Sequence, residues 1–238
     1  MDPRPSPAPE AHPRGEDSRR AILQAAIREF ADHGEAGART DAIARAAGVN
    51  KALLHYYFGS KDGLYGAVLD EVFRGKAERF VALLAGSGSP GERALRYLLA
   101  HFDDLAASDA HGRLLGQEML RARQGSAHRI PRIVEVGFGP VSRAFAAVLA
   151  EGAAAGEFRA VDPGTVIHPL LGGNVFYFIS APFFREITGK DPRDPALLAR
   201  QRGALLDAAA TLLFADPEQG RALARRIHAQ TEPIGGRP

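Results

Sequence analysis

An all-α fold is predicted by three observations. Apolar residues recur along most of the chain at three- and four-residue steps, the period of one helix face. Alanine, leucine and arginine, all good helix formers, are abundant. No convincing run alternates with period two, so nothing argues for a sheet. With 238 residues, 45% of them hydrophobic, the chain can build one mid-sized core or a small domain fused to a larger one. No internal repeat is apparent.

Residues 1–15 are proline-rich and polar and lack an apolar h-region, so they read as a disordered arm and not as a signal peptide. Ile22, Ala26 and Phe30 make the first helical stripe, ended by Gly34. The pattern then shortens. Two brief apolar runs, 42–47 and 52–58, flank Gly48-Val49-Asn50. Thr40 stands where an N-cap belongs, Gly48 permits the left-handed backbone that stops a helix, and Asn50 can cap the next one. That is helix, tight turn, helix. Ser60 can cap the following helix, and Asp62 suits the positive end of its dipole. Leu64, Val68, Val72, Phe73, Phe80 and Leu84 carry that helix over 61–84.

Residues 86–91 match G-x-G-x-x-G, but they join two helices and follow no strand, so they read as a flexible loop and not a phosphate cradle. Leu95, Leu98, Leu99, Phe102 and Leu105 mark the next helix, Leu114, Leu115 and Met119 a shorter one, and Ile130 through Val148 a longer one. Residues 164–181 and 197–214 read as the last two long helices, and 231–238 as a frayed tail.

Several functions find no support. There is no cysteine, hence no disulfide, thiolate nucleophile or cysteine metal site, which fits a reducing cytoplasm. The net charge of +2 says little about partners. The longest uncharged apolar stretch, 168–184, falls short of the roughly 20 residues of a membrane helix, so no membrane association is expected. His101, His111 and His128 are scattered without metal-ligand spacing. Asp103 and Asp104 are adjacent, so on a helix they point apart by about 100° and cannot act as a carboxylate pair. An all-α enzyme using a histidine and an acid has no support in the spacing. The expectation is no catalytic residue, no metal and no cofactor.

The N-terminal series resembles the TetR family. It comprises Ile22-Leu23, Ala26, Phe30 and Gly34, then Thr40, Ile43-Ala44 and Ala47-Gly48-Val49. Leu54-His55-Tyr56-Tyr57-Phe58, Ser60-Lys61-Asp62 and Leu64 complete it. No single piece is specific; the ordered series is. The resemblance implies a helix-turn-helix domain over 16–62 whose second short helix enters the major groove of operator DNA. It places Lys51, Ala52, Leu53 and His55 over bases and Thr40, Tyr56 and Lys61 on the backbone. Chemistry agrees: Lys51 can donate to guanine, Ala52 and Leu53 can touch a thymine methyl, and Thr40 at a helix N-terminus suits a phosphate. Ala52, Leu53 and His55 depart from the family's commonest residues, so the operator is expected to differ from well-known ones.

For 63–230 the resemblance implies a larger helical ligand-binding and dimerisation domain, reached through helix 61–84. The expected partners are palindromic DNA, a second copy of the chain and a largely apolar effector. Phe102, Met119, Phe138, Phe176 and Tyr177 are its candidate lining, with His168 and Asn174 as polar anchors. Leu198, Leu205, Ala209 and Leu212 are candidates for the dimer face. A repressor released by its ligand is the leading reading. A DNA-binding dimer with no small-molecule ligand is the alternative, and a C-terminal cavity of roughly 300 Å³ or more separates the two.

Overall fold

The structure, a computed structural model, describes residues 13–107 and 110–231. Every regular element in that range is helical, and the only extended pairing among the described residues is an isolated bridge between Phe158 and Phe214. The chain forms two compact units, one ending at Glu71 and the other starting at Val72. The division falls inside a continuous helix and not at the expected boundary between 62 and 63.

The first unit holds α1 (Pro13–Gly37), α2 (Thr40–Ala46), α3 (Lys51–Phe58) and the first half of α4 (Lys61–Leu84). Helix α1 starts inside the expected disordered arm, whose residues 1–12 lie outside the described range. Glu16 complements the dipole in the first turn. Gly34, with φ 67° and ψ 173°, breaks α1 near its end. Ile22, Ala26, Phe30, Ile43, Leu54, Leu64 and Val68 are almost wholly buried, and the Phe30 and Tyr65 rings meet edge-on at 4.8 Å.

The turn between α2 and α3 is a Schellman closure. Gly48 has φ 68°, its N–H donates to Arg45 O at 3.2 Å, and the Val49 N–H donates to Ala44 O at 3.0 Å. Asn50 then caps α3 by accepting from Leu53 N at 2.8 Å. Ser60 Oγ accepts from Gly63 N at 3.0 Å and caps α4. One cap differs from expectation: Arg39 is the N-cap of α2 and makes no side-chain cap bond, while Thr40 is the first helical residue.

The second unit continues with α5 (Pro90–Ala107), α6 (Ala110–Arg123) and α7 (Ile130–Ile133). A π-turn (Val134–Phe138) leads into α8 (Gly139–Ala154). Helix α9 (Pro163–Ile167) passes through a second π-turn (His168–Gly172) into α10 (Gly173–Ile179). Helices α11 (Ala181–Thr188), α12 (Pro195–Leu213) and α13 (Pro217–Gln230) complete it. Leu95, Leu98, Leu99 and Phe102 of α5 form the centre, packed among Phe145, Val148 and Leu149 of α8 and Leu205, Leu206 and Leu213 of α12. Each such burial is worth about 1.5–3 kcal/mol. The run Ile130–Ala154 is long and apolar enough to cross a membrane by length and composition, but it buries Ile133, Phe145, Val148 and Leu149 within this unit.

Several expectations are corrected here. Leu198, Leu205 and Ala209 belong to the protomer's own core and so do not form a dimer face, while Leu212 is half-buried against that core. Residues 217–230 are an additional helix, announced by the Asp216 cap, Pro217 in the first turn, and Leu223, Ala224 and Ile227 at helical spacing. The 86–91 loop is tied down, because Glu157 accepts from Ser89 Oγ at 2.8 Å and from Gly91 N at 3.1 Å. Thr231, the first residue of the expected frayed tail, is bound by Arg202 Nη2 at 2.8 Å; residues 232–238 lie outside the described range.

Two glycines test this packing. A Cβ on Gly152 would stand 2.1 Å from the Phe158 ring, whereas one on Gly75, in α4, meets nothing within 4 Å. Gly152→Val is expected to destabilise the protein by about 2–4 kcal/mol in urea unfolding, through overpacking and displacement of Phe158. Gly75→Ala is expected to be neutral or stabilising by up to about 1 kcal/mol.

Candidate functional site

In the first unit, Lys51, Ala52, His55 and Tyr56 are exposed, Tyr56 to 77%, while Thr40, Leu53 and Lys61 are half-buried. The exposed face of α3 is thus a short surface of one lysine, one imidazole, one phenol and small apolar groups. Two of these polar groups, and Lys61 at the start of α4, are already engaged. Lys51 Nζ pairs with Asp41 Oδ1 of α2 at 2.9 Å, and the hydrogen bond and charge of Lys51 hold the Asp41 carboxyl below its usual pKa. Lys61 Nζ donates to Ala36 O at 3.0 Å. His55 Nδ1 lies 3.1 Å from Gly59 O; a carbonyl only accepts, so Nδ1 carries the proton and a neutral ring turns Nε2 outward as an acceptor. Tyr57 and Phe58 are half-buried, with the Arg19 guanidinium 5.5 Å from the Phe58 ring centre.

The second unit holds a cavity of about 570 Å³. Phe73, Lys76, Ala77 and Phe80 of α4 form one wall, and Tyr97, His101, Asp104 and Leu105 of α5 another. Both π-turns contribute: Gly137 and Phe138 from the first, His168, Leu171 and Gly172 from the second. π-turns concentrate at functional sites because the widened backbone re-aims side chains. Pro140 and Pro169 lack the amide an α-turn would use, and widening relieves the clash of their rings with the preceding turn. A Cβ on Gly137 would press to 3.0 Å from Phe73 Cβ, so glycine there keeps the wall close to α4. The rim is apolar and open, since Met119, Phe138, Phe176 and Ile179 are all exposed.

One end of this apolar space is polar. Lys76 is ion-paired to Asp104, whose other oxygen accepts from Arg79 Nη2 at 2.7 Å. Burial works to raise the Asp104 pKa, but Lys76 and Arg79 outweigh it and hold the carboxyl ionised. Beside the pair stand His101 and His111, the latter edge-on to Phe73 at 4.7 Å between ring centres. Burial pushes His101 down to about 4 and His111 down to about 3, so both are neutral at pH 7. Their Nδ1 atoms are buried without hydrogen-bond partners. Asp103 points the other way, toward Arg202 Nη1 at 3.5 Å, so the two adjacent carboxylates serve different helices.

Of the residues expected to line an effector site, Met119, Phe138, His168 and Phe176 line this cavity. Three do not. Phe102 is fully buried in the core, Tyr177 donates its hydroxyl to Pro192 O at 2.7 Å, and Asn174 is 2% exposed with no partner for Nδ2. His101 and His111, read as scattered, converge here with Lys76 and Asp104. Helical phase could have shown that 101 and 104 share a face, but nothing local relates them to 76 or 111. Among the described residues no group of three or more potential ligands could hold a metal ion.

A family profile described as bacterial regulatory proteins, tetR family, matches residues 22–68, and one described as tetracyclin repressor-like, C-terminal domain, matches residues 90–208, half of the chain. The chain belongs to the TetR family. This TetR-family chain is 46% identical over 56 residues to the HTH-type transcriptional repressor SCO4008 of Streptomyces coelicolor, covering 24% of the chain and 29% of that relative. It is 32% identical over 130 residues to the HTH-type transcriptional repressor NicS of Pseudomonas putida, covering 49% and 61%. The matched stretches therefore span less than two thirds of these relatives. Among solved structures, the hemolysin II regulator HlyIIR has a TM-score of 0.56 at 23% identity, covering 80% of this chain and 97% of that one. FadR of Bacillus subtilis in complex with stearoyl-CoA has a TM-score of 0.61 at 19% identity, covering 79% and 97%. A gamma-butyrolactone receptor has 0.60 at 20%, covering 91% and 100%. At these identities the likeness is one of fold.

The buried imidazoles set a pH dependence. Their folded pKa values lie below the ordinary 6.5, so the unfolded chain protonates first; their stability is complete above pH 6.5 and is lost as pH falls toward 4 and 3. Asp103, raised by burial to about 6 against the pull of Arg202, has the opposite sign: its contribution is complete below 3.8 and lost as pH rises through about 6. Two imidazoles outweigh one carboxyl. Stability by urea unfolding is expected to fall between pH 7 and 4.5, and His111→Leu should flatten that slope by up to about 3 kcal/mol. An unchanged slope would place His111 outside the core.

Proposed function

We propose that this chain is a cytoplasmic transcriptional repressor that binds a palindromic operator as a homodimer and is released by a largely apolar small molecule. The carrying observation is that α4 forms a wall of the 570 Å³ cavity and is separated by only two residues from the end of α3, the candidate recognition helix. A molecule that presses on Phe73, Ala77 and Phe80 acts on the one covalent link between the units. The cavity volume supports the sensor reading over a DNA-binding dimer without a ligand. An apolar effector is supported by the lining.

In this reading Lys51, Ala52, Leu53 and His55 face bases, and Thr40, Tyr56 and Lys61 hold phosphates. Lys51 exchanges Asp41 for a guanine edge, and His55 Nε2 accepts from a cytosine or adenine amine. Lys61→Ala is expected to weaken binding to every sequence and lower the salt slope by about one unit. Lys51→Ala should cost about 1–3 kcal/mol on an operator selected from random palindromes and relax one base pair. Equal effects of both variants on selected and random DNA, in titrations at fixed salt, would overturn the assignment of roles.

One recognition helix reads too few base pairs for useful specificity, so two copies must act together. The support for an interface lies on α10 and α11, where Phe176, Ile179, Phe183 and Ile187 make an exposed apolar stripe, the last two 73% and 82% exposed. Stripes of this kind mark association surfaces. Phe183→Glu is expected to give a monomer in sedimentation equilibrium at micromolar concentration, with at least about tenfold weaker operator binding. A dimer of unchanged affinity would move the interface elsewhere.

A further inference from the structure

The polar end of the cavity restricts what can bind there. Its two charged lining residues, Lys76 and Asp104, neutralise each other, and Arg79 supports the pair from outside the cavity. An anion entering this space would approach Asp104, and a cation would approach Lys76. Neither finds a free counter-charge, and an isolated charge in an apolar cavity is heavily penalised. Two imidazoles remain. Both Nδ1 atoms are buried without a hydrogen-bond partner, so the ring nitrogen left to meet a ligand is Nε2. A neutral imidazole can donate or accept at Nε2 according to its tautomer. A pair of such rings is therefore matched by one uncharged group that accepts, or accepts and donates.

We propose that the effector is an uncharged molecule with an apolar body and a single hydroxyl or carbonyl head, and that His101 and His111 read the head. The proposal rests on the cavity being the effector site. The body lies among Phe73, Phe80, Leu115 and Val141 and extends toward the open apolar rim at Phe176. His111 borders α4 through Phe73, so the head is read beside the helix that carries the signal.

The test uses the full-length protein and one small tail with different heads: para-butylphenol, para-butylacetophenone, para-butylbenzoate, para-butylbenzylammonium and headless butylbenzene. Affinity is measured by calorimetry at pH 7.5, and Nile red reports whether the cavity takes any apolar probe. The phenol and the ketone are expected to bind at least about tenfold more tightly than the other three, the scale of one well-made hydrogen bond. In His101→Leu and His111→Leu that advantage should disappear while butylbenzene binds as before. His111→Gln, which can still donate and accept, should restore part of it and serves if the leucine variant does not fold.

Tightest binding by the benzoate with proton uptake would overturn the proposal in favour of an anion site, and tightest binding by the ammonium in favour of Asp104 as the reader. Equal binding of phenol and butylbenzene would make the imidazoles mere packing. Each of these leaves the sensor reading standing. If neither Nile red nor any of the five binds, the cavity is not a receptor, and both readings fall together.

Discussion

The ion pair between Lys76 and Asp104 constrains most of what the second unit does. It joins α4 to α5 at the edge of an apolar cavity, and Arg79 closes the network from the outer side. Burying both charges is expensive, and their mutual attraction roughly offsets that cost only while both are present. Removing either one leaves an uncompensated charge beside the cavity, so the arrangement is costly to break from one side. Burial keeps His101 and His111 uncharged; at His111 the charge of Lys76 adds to it, whereas at His101 the larger effect of the pair is that of Asp104, which works against it. The link between α4 and α5 and the charge at the polar end of the cavity thus meet in one contact.

Around that contact the backbone departs from regular helix where space is needed. The two π-turns, 134–138 and 168–172, both reach the cavity. Glycine assists, with Gly137 permitting close approach to Phe73. Helix α4 itself carries Gly66 and Gly75 on either side of the division between the units, and neither is demanded by a steric neighbour. Interior glycines weaken a helix by roughly 1 kcal/mol each relative to alanine. A link of this composition bends more readily than an alanine-rich one. A bend of α4 changes where a recognition helix is held without changing the helix itself.

Local chemistry made the first unit legible from sequence. The Gly48 closure and the Asn50 and Ser60 caps depend on residues within a few positions of each other, so spacing alone describes them. Thr40 shifted by one position because cap and first turn share their residue preferences. The second unit was legible as helices but not as a site. Leu198, Leu205 and Ala209 carry the same stripe whether it faces a core or a second protomer, and here it faces the core. Met119 and Phe176 reach the cavity while Phe102 does not, since an aromatic on an apolar stripe serves packing and lining alike. The pairing of 76 with 104, and the approach of 101 to 111, come from tertiary packing of three helices that no sequence window contains.

Separating reader from receptor also settles how strongly one can influence the other. The only covalent route between the units is α4, and a ligand shifts its position only by binding one arrangement better than another. A typical coupling of about 1–3 kcal/mol corresponds to a change of roughly 5- to 150-fold in DNA affinity. That range is within reach of a ligand whose head bonds beside Phe73, provided those bonds form in one placement of α4 and not in another. The apolar body supplies most of the affinity, which distinguishes the two placements poorly. The hydrogen bonds at the polar end are directional, and they discriminate by geometry. Tight binding and effective switching therefore fall to different ends of the same cavity.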